Sequence, residues 1–484
     1  MHILSVSIAS TALALLSPQL LAQERPLPQV LFNAEQQNAR FTGIGRLSTE
    51  TFGQCIATLV DSRASGTSNS GPAYVITSGH CVDQRNGHVV HDQPIQGQVT
   101  FNYFVDTSKQ RQSYALKRIV WSSMQGSDLA LLELDARLDE VMAAGAAPLK
   151  LAASTTEPRS VQIIGEPSSI GQGLRLSACM QWPSAFVIEQ PWVWRNIQLN
   201  DCQGLSKGAS GSPVIIADEL QVVSVVNSLA DHTLAHCAPD TSCTLAPGQP
   251  ATSIAIPVDR VLGCFKDGIA DLSQEHCHLL PGFALKTTKR AKYLMKVATD
   301  DDGRDILPEW DLGFTLDTAH YRFKPTTDPL DCENPVGYSG SLPAAENQIS
   351  EPIGPEPGWH FLCVVGVEDA EQRPSPALMA NSLTLAAELL PAGPVPFPEV
   401  AVKHLENGNV DVSWSLQTPE VRLYKVKQGS AAKIDCEDPK GFRLLRHTSF
   451  EFAASKLPLK ICTQGEDIIG QQSAVRTDLI EPRS

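Results

Sequence analysis

The sequence predicts an all-β protein, on three observations. From about Phe41 to Pro281, short runs of β-type residues alternate with Gly, Ser and Asn turns. Helical periodicity is scarce, with Val258 to Phe265 the best candidate because it opens after Pro257. The rest of the chain repeats itself at a period of about 100 residues, enough for a small domain and too long for a solenoid unit.

The strands follow in order. Ile56-Ala57-Thr58-Leu59-Val60 and Tyr74-Val75-Ile76-Thr77 frame Arg63 to Pro72, a stretch rich in Ser, Gly and Asn that reads as a hairpin loop. Later runs are Val99 to Val105, Leu129 to Leu134, Val161 to Ile164, Val214 to Ile216 and Val222 to Val226. Many short strands punctuated by turns mean a sandwich or a barrel.

In the second half, Asp331-Cys332-Glu333-Asn334-Pro335-Val336-Gly337-Tyr338 returns as Asp435-Cys436-Glu437-Asp438-Pro439-Lys440-Gly441-Phe442. Trp310 followed by Tyr321-Arg322-Phe323-Lys324 matches Trp414 followed by Arg422-Leu423-Tyr424-Lys425, and Cys363 matches Cys462. Each copy has room for about seven strands with a Trp as core filler, so two tandem Ig-like or fibronectin-III-like β-sandwiches are expected. Their bounds are 285–390 and 396–484, joined by the semi-rigid Pro391-Ala392-Gly393-Pro394-Val395-Pro396-Phe397-Pro398.

A chain of 484 residues exceeds one hydrophobic core. It is 42% hydrophobic and 19% charged, which excludes disordered, collagenous and coiled-coil classes. The 38 Lys and Arg against 53 Asp and Glu give −15, so no nucleic-acid partner is expected. Residues 1–22 read as a secretory signal: an apolar Ile3 to Leu16, then Ser17-Pro18 and Leu20-Leu21-Ala22 before polar Gln23. No Lys or Arg precedes the apolar run, and a buried N-terminal element is the competing reading. No other window approaches 18 apolar residues, so no membrane span is expected after signal removal. The protein is expected outside the cytosol, extracellular or periplasmic.

Twelve cysteines, an even number, fit such an oxidising compartment. Cys332–Cys363 and Cys436–Cys462 occupy equivalent places in the two copies, so each most simply closes within its own domain. In the first unit the expected pairs are Cys55–Cys81, Cys179–Cys202, Cys237–Cys243 and Cys264–Cys277, although sequence alone does not fix connectivity. The first closes a loop of about 26 residues, worth about 3.5 kcal/mol by chain entropy. His232, His236, Cys237 and Cys243 match no common zinc spacing, and a bridge is favoured over a metal. Asp300-Asp301-Asp302-Gly303-Arg304-Asp305 resembles the start of a calcium loop but lacks the closing Glu, and reads as a hairpin turn. No metal and no cofactor is expected.

Three motifs carry chemistry. Hydrolysing an amide needs a nucleophile, a base for its proton, a group that orients the base, and donors for the oxyanion. Thr77-Ser78-Gly79-His80-Cys81 closes an apolar strand, and Ser127-Asp128-Leu129-Ala130-Leu131-Leu132 opens another. Lys207-Gly208-Ala209-Ser210-Gly211-Ser212-Pro213 is a tight turn feeding a third. An imidazole is suited to exchange a proton near neutrality, and a buried carboxylate fixes its tautomer.

In this order the three segments resemble the chymotrypsin/trypsin-like serine proteases, particularly secreted bacterial members. The resemblance covers about 41–281 and implies a two-barrel protease domain there. It implies Ser210 as nucleophile, His80 as general base and acid, and Asp128 as the orienting acid. The amides of Gly208 and Ser210 are the implied oxyanion hole. The order His, Asp, Ser separates the chain from α/β-hydrolases. Protein or peptide substrates are then expected. An adhesin or scaffold that binds proteins without turnover is the alternative.

Digestive members of that family carry an Asp just before the nucleophile, paired with a terminus released by cleavage. Ala209 stands there and forms no ion pair, so activation by that bridge is not expected. Residues 23–40 are accordingly read as at most a short propeptide or tether. The primary pocket is expected from Cys202 to Lys207 and Ser224 to Ser228, with Gly204, Val226 and Asn227 as its residues. No Asp lies near Gly204 and no His at Val226, so an apolar or small P1 residue is the expectation.

Overall fold

The computed structural model describes residues 25–50, 53–63, 71–85, 87–166, 173–230, 251–289, 292–415 and 419–483. The expected signal, the Cys237–Cys243 pair, His232 and His236 lie outside the described residues.

Two closed six-stranded antiparallel barrels form the first half. The first runs Gln112–Met124, Gly97–Phe101, Ile44–Thr49, Cys55–Leu59, Pro72–Thr77, Asp128–Arg137 and back to Gln112–Met124. The second runs Arg175–Glu189, Arg159–Gly165, Pro213–Ile216, Gln221–Leu229, Ser253–Pro257, Trp192–Asn200 and back to Arg175–Glu189. Closure removes exposed sheet edges, which suits strands as apolar as Leu129–Leu134. One core fills the first barrel around Leu47, Val75, Val99 and Leu132. Another fills the second and the seam, from Trp121 and Leu129 to Trp194 and Val225. The stretch expected to be helical, Val258 to Phe265, contains the 3-10 turn Asp259–Cys264.

The segment expected as a propeptide or tether is, from Arg25 onward, packed into this unit. Gln29–Val30 pairs with Arg175 and Leu176, and Leu31 is buried. Arg25 Nε donates to Asp201 Oδ2 at 2.7 Å.

The second half holds two β-sandwiches. Sheets of three and five strands, from Leu285–Thr287 to Leu383–Leu390, enclose Trp310, Phe314, Tyr321 and Leu385. Sheets of three and four strands, from Val400–His404 to Arg476–Ile480, enclose Trp414, Tyr424 and Ile461. Cys332–Cys363 and Cys436–Cys462 each close within one sandwich. The two copies also share a lysine device. Lys324 Nζ donates to the carbonyls of Asp331, Asn334 and Val336 and lies 4.9 Å from the Tyr338 ring centroid. Lys427 Nζ does the same with Asp438 and Lys440, 5.1 Å from the Phe442 centroid. The structural partner of Lys324 is therefore Lys427, not Lys425. The strand register agrees, since Lys324 faces Cys363 and Lys427 faces Cys462. A slip of two residues keeps every side chain on its own face, so the alternating pattern does not expose it. The Asp300 to Asp305 stretch is a turn between the paired strands Ala298–Thr299 and Asp305–Ile306.

The first sandwich is docked onto the second barrel. Phe186, Ile188 and Val193, on the hairpin of Arg175–Glu189 and Trp192–Asn200, pack against Trp359, Phe361 and Ala386. Arg195, 1% exposed in its side chain, pairs with Glu333. Its guanidinium also donates to Ser382 Oγ at 2.8 Å, Thr384 Oγ1 at 2.7 Å and two sandwich carbonyls. Asn381 Nδ2 donates to the carbonyls of Leu279 and Pro281, both at 2.8 Å. A second buried pair, Lys296 Nζ to Asp467 Oδ2 at 2.8 Å, ties the two sandwiches, and the same ammonium binds Gly393 O in the connecting segment.

Removing one member of a buried, hydrogen-bonded charge cluster leaves its partners unsatisfied. Arg195→Ala is therefore expected to cost about 3 kcal/mol, read as a lower urea midpoint.

Candidate active site

Each of the three motifs sits where a strand begins or ends at the seam between the barrels. His80 lies on the 3-10 turn Gly79–Cys81 that follows strand Pro72–Thr77. Cys81 is tied to Cys55, one barrel strand away. Asp128 opens the strand Asp128–Arg137 and is fully buried. Ser210 lies in the turn that feeds Pro213–Ile216.

The seam fixes these turns against one another. Ser78 Oγ of the first barrel donates to Val226 O of the second at 2.8 Å. Ile56 N donates to Ser210 O at 2.8 Å, so the carbonyl of the nucleophile turn is held by the opposite barrel. Gly211, at φ +83, packs so closely that a Cβ would collide with Ile56 O and Thr77 Oγ1. Only glycine combines that dihedral with that approach.

Both carboxylate oxygens of Asp128 are engaged by His80. The backbone amide donates to Oδ1 at 2.7 Å, and ring Nδ1 donates to Oδ2 at 2.6 Å. This leaves Nε2 as the ring nitrogen able to take a proton from another group. Burial alone pulls the imidazole pKa down, but the charge and hydrogen bond of Asp128, with a smaller contribution from Glu189, hold it above the ordinary 6.5.

Ser210 shares with His80 a cleft of about 710 Å³. Its Oγ donates to Asn227 O at 3.3 Å. Gly208 has φ +96, a dihedral suited to glycine, and Ala209 N donates back to Ser206 O at 3.0 Å. Among the described residues neither the Gly208 nor the Ser210 amide donates to another backbone carbonyl, so the turn keeps two N–H groups next to the nucleophile. The loop before it is held by Cys179–Cys202 and by the Arg25–Asp201 pair. Ala209 is buried and supplies no charge.

Val226 and Asn227 line the cleft with Ser206 and Lys207. Gly204, expected beside them, is not among its lining residues. At φ +72 it backs onto Pro28, whose ring a Cβ would strike. The reason is tertiary: the N-terminal segment crosses behind this loop. Other lining residues went unread in the sequence, among them Met124, Glu189, Trp192 and Trp194. The last three sit at the tip of the Arg175–Asn200 hairpin. The alternating run around Glu189-Gln190-Pro191-Trp192 carried a hairpin signal, but nothing local aims it at His80.

The family model described as Trypsin matches residues 45–240. Among solved structures, the chain is similar to protease Anisep from Arthrobacter nicotinovorans, at 14% identity and TM-score 0.28, covering 45% of this chain and 91% of that one. It is also similar to Deg5, at 18% identity and TM-score 0.29, covering 48% and 93%. A two-domain fibronectin type-III segment of chicken tenascin is similar at 11% identity and TM-score 0.16, covering 39% and 98%. No curated protein matches the chain.

Because Asp128 holds the His80 pKa up against burial, Asp128→Asn is expected to drop it below 6.5. An NMR titration of the imidazole protons checks this. The pair also contributes stability that is complete below pH 6.5 and is lost as pH rises through the elevated folded value. Asp128→Asn should reverse that dependence, the urea midpoint rising with pH between the lowered folded value and 6.5.

Proposed function

We propose, proceeding from the trypsin-like domain that residues 45–240 form, that the protein is a secreted serine endopeptidase working through an acyl-enzyme. The observation that carries the reading is the 2.6 Å contact of His80 Nδ1 with a fully buried Asp128, at the back of a cleft that also holds Ser210.

The chemistry follows from the atoms. Ser210 Oγ attacks the scissile carbonyl carbon while its proton passes to His80 Nε2. Asp128, already bonded to Nδ1, stabilises the imidazolium that forms. The new oxyanion is met by the amides of Gly208 and Ser210. Collapse breaks the C–N bond, and Nε2 returns the proton to the leaving amine. Water then repeats the sequence on the ester, releasing the acid and restoring Ser210.

The buried Ala209 and the packed Arg25 to Asn33 segment support a nucleophile turn formed without a newly released terminus. The five disulfides among the described residues fit an oxidising compartment, and the 1–22 stretch is assigned as the signal that delivers the chain there. The protease unit is assigned to 41–281 and the sandwiches to 285–390 and 396–484, as modules that engage substrate or a surface. No described helix is long and apolar enough to cross a membrane.

An organophosphonate should label the protein at Ser210, and Ser210→Ala should abolish both label and turnover. The expected loss is on the order of 10⁶ in kcat. Labelling that survives Ser210→Ala would sink the reading. In the active enzyme kcat/KM should rise with pH through an apparent pKa above 6.5, because only neutral His80 accepts the proton.

A further inference from the structure

The hairpin tip brings into the cleft a carboxylate that takes no proton and forms no bond in the hydrolytic steps above, although its charge helps hold up the His80 pKa. Glu189 ends the strand Arg175–Glu189 and is half-buried beside His80 and Asp128. Its Oε2 accepts from the Trp194 indole N–H at 2.6 Å, and the Ser228 hydroxyl also binds it. Both are neutral donors. Among the described residues Glu189 has no ion pair with a Lys or Arg. Burial, with some help from Asp128, pushes its pKa above the ordinary carboxylate value, against the Trp194 and Ser228 hydrogen bonds and the opposing charge of His80.

Two indoles stand next to that carboxylate, Trp194 with its N–H edge and Trp192 as the cross-strand neighbour. The Trp192 and Trp194 rings stack with centroids 6.0 Å apart and planes 11° apart, and both line the cleft. An acid beside an indole recognises a guanidinium or ammonium: the carboxylate accepts its N–H groups, and the half-buried Trp192, stacked on the buried Trp194, offers its other face to the charge.

The direction of an extended peptide decides which residue would meet it. Ser206 and Lys207 precede the nucleophile in the chain, Asn227 O accepts from Ser210 Oγ and Val226 O from Gly211 N, so these residues line the cleft beside Ser210, where the primary pocket is expected. Side chains of an extended chain alternate between faces, so the preceding one turns to the opposite wall. Glu189 stands toward His80, close enough to His80 and Asp128 for their charges to act on it.

We propose that Glu189, with the Trp192–Trp194 wall, is the specificity determinant for a basic side chain immediately before the scissile residue. The substrate class is therefore peptides with Arg or Lys at P2. This rests on the serine endopeptidase reading above and deepens it. It is compatible with a small or apolar P1.

Quenched fluorescent peptides that differ only at P2, as Arg, Lys, Ala or Glu, test it on the full chain. Wild type is expected to give kcat/KM roughly tenfold higher for Arg than for Ala, with Glu lowest and the gap shrinking at high salt. Glu189→Gln should bring the Arg-to-Ala ratio close to one, and Glu189→Lys should turn the preference toward Glu. A carboxylate that merely orients Trp194 predicts losses shared by all four peptides, with the ratio untouched. Phosphonate labelling of Ser210 reports whether each variant is folded. If a variant fails to label, the wild-type ratio alone still decides. Turnover without a P2 charge preference, or a preference that survives Glu189→Gln, overturns this inference and leaves the peptidase reading standing. No turnover of any peptide together with no label at Ser210 overturns both.

Discussion

The buried carboxylate of Asp128 is the constraint around which the rest of the site is arranged. A charge withdrawn from water is tolerated only where hydrogen bonds replace its hydration. Asp128 receives two, and both come from one residue, through the amide and the ring of His80. The imidazole is thereby held by its own backbone as well as its side chain, with one nitrogen committed and the other facing the cleft. The carboxylate also reverses the effect of burial on the ring, which would otherwise be a weaker base.

That geometry exists only where two barrels meet, so the seam is as much part of the site as the side chains. Carbonyls of the second barrel accept from donors of the first at Val226 and Ser210, and Gly211 allows the nucleophile turn to lie almost on the strand that starts at Cys55. The Cys55–Cys81 bridge fixes the His80 turn to that same strand. A nucleophile and base supplied by separate barrels need such common fixed points, because small displacements are costly when proton transfer depends on hydrogen-bond reach.

The hairpin of the second barrel extends this dependence into the second half of the chain. Its tip carries Glu189, Trp192 and Trp194 into the cleft, and its flank carries Phe186, Ile188, Val193 and Arg195 into the first sandwich. Parting the two bodies would break every hydrogen bond that Arg195 makes to Ser382, Thr384 and Ala380 together with its ion pair to Glu333. The first sandwich therefore packs on the same hairpin that supplies Glu189, Trp192 and Trp194 to the cleft. Lys296 and Asp467 make the same kind of joint one domain further along.

The sequence by itself determined whatever depends on neighbours in the chain. The His80, Asp128 and Ser210 motifs stood out because strand ends and glycine turns are local features. The all-β class followed from short-range alternation, and the repeat from Trp and Cys spacing. Tertiary structure decided what depends on segments far apart. It put Pro28 behind Gly204, sent the Glu189 tip toward His80, and shifted the lysine equivalence from Lys425 to Lys427. Alternation says which face a residue takes but not what lies opposite. Only the closing of the barrels and the docking of the sandwich choose that partner, because burial energy belongs to the pair of surfaces and not to either strand alone.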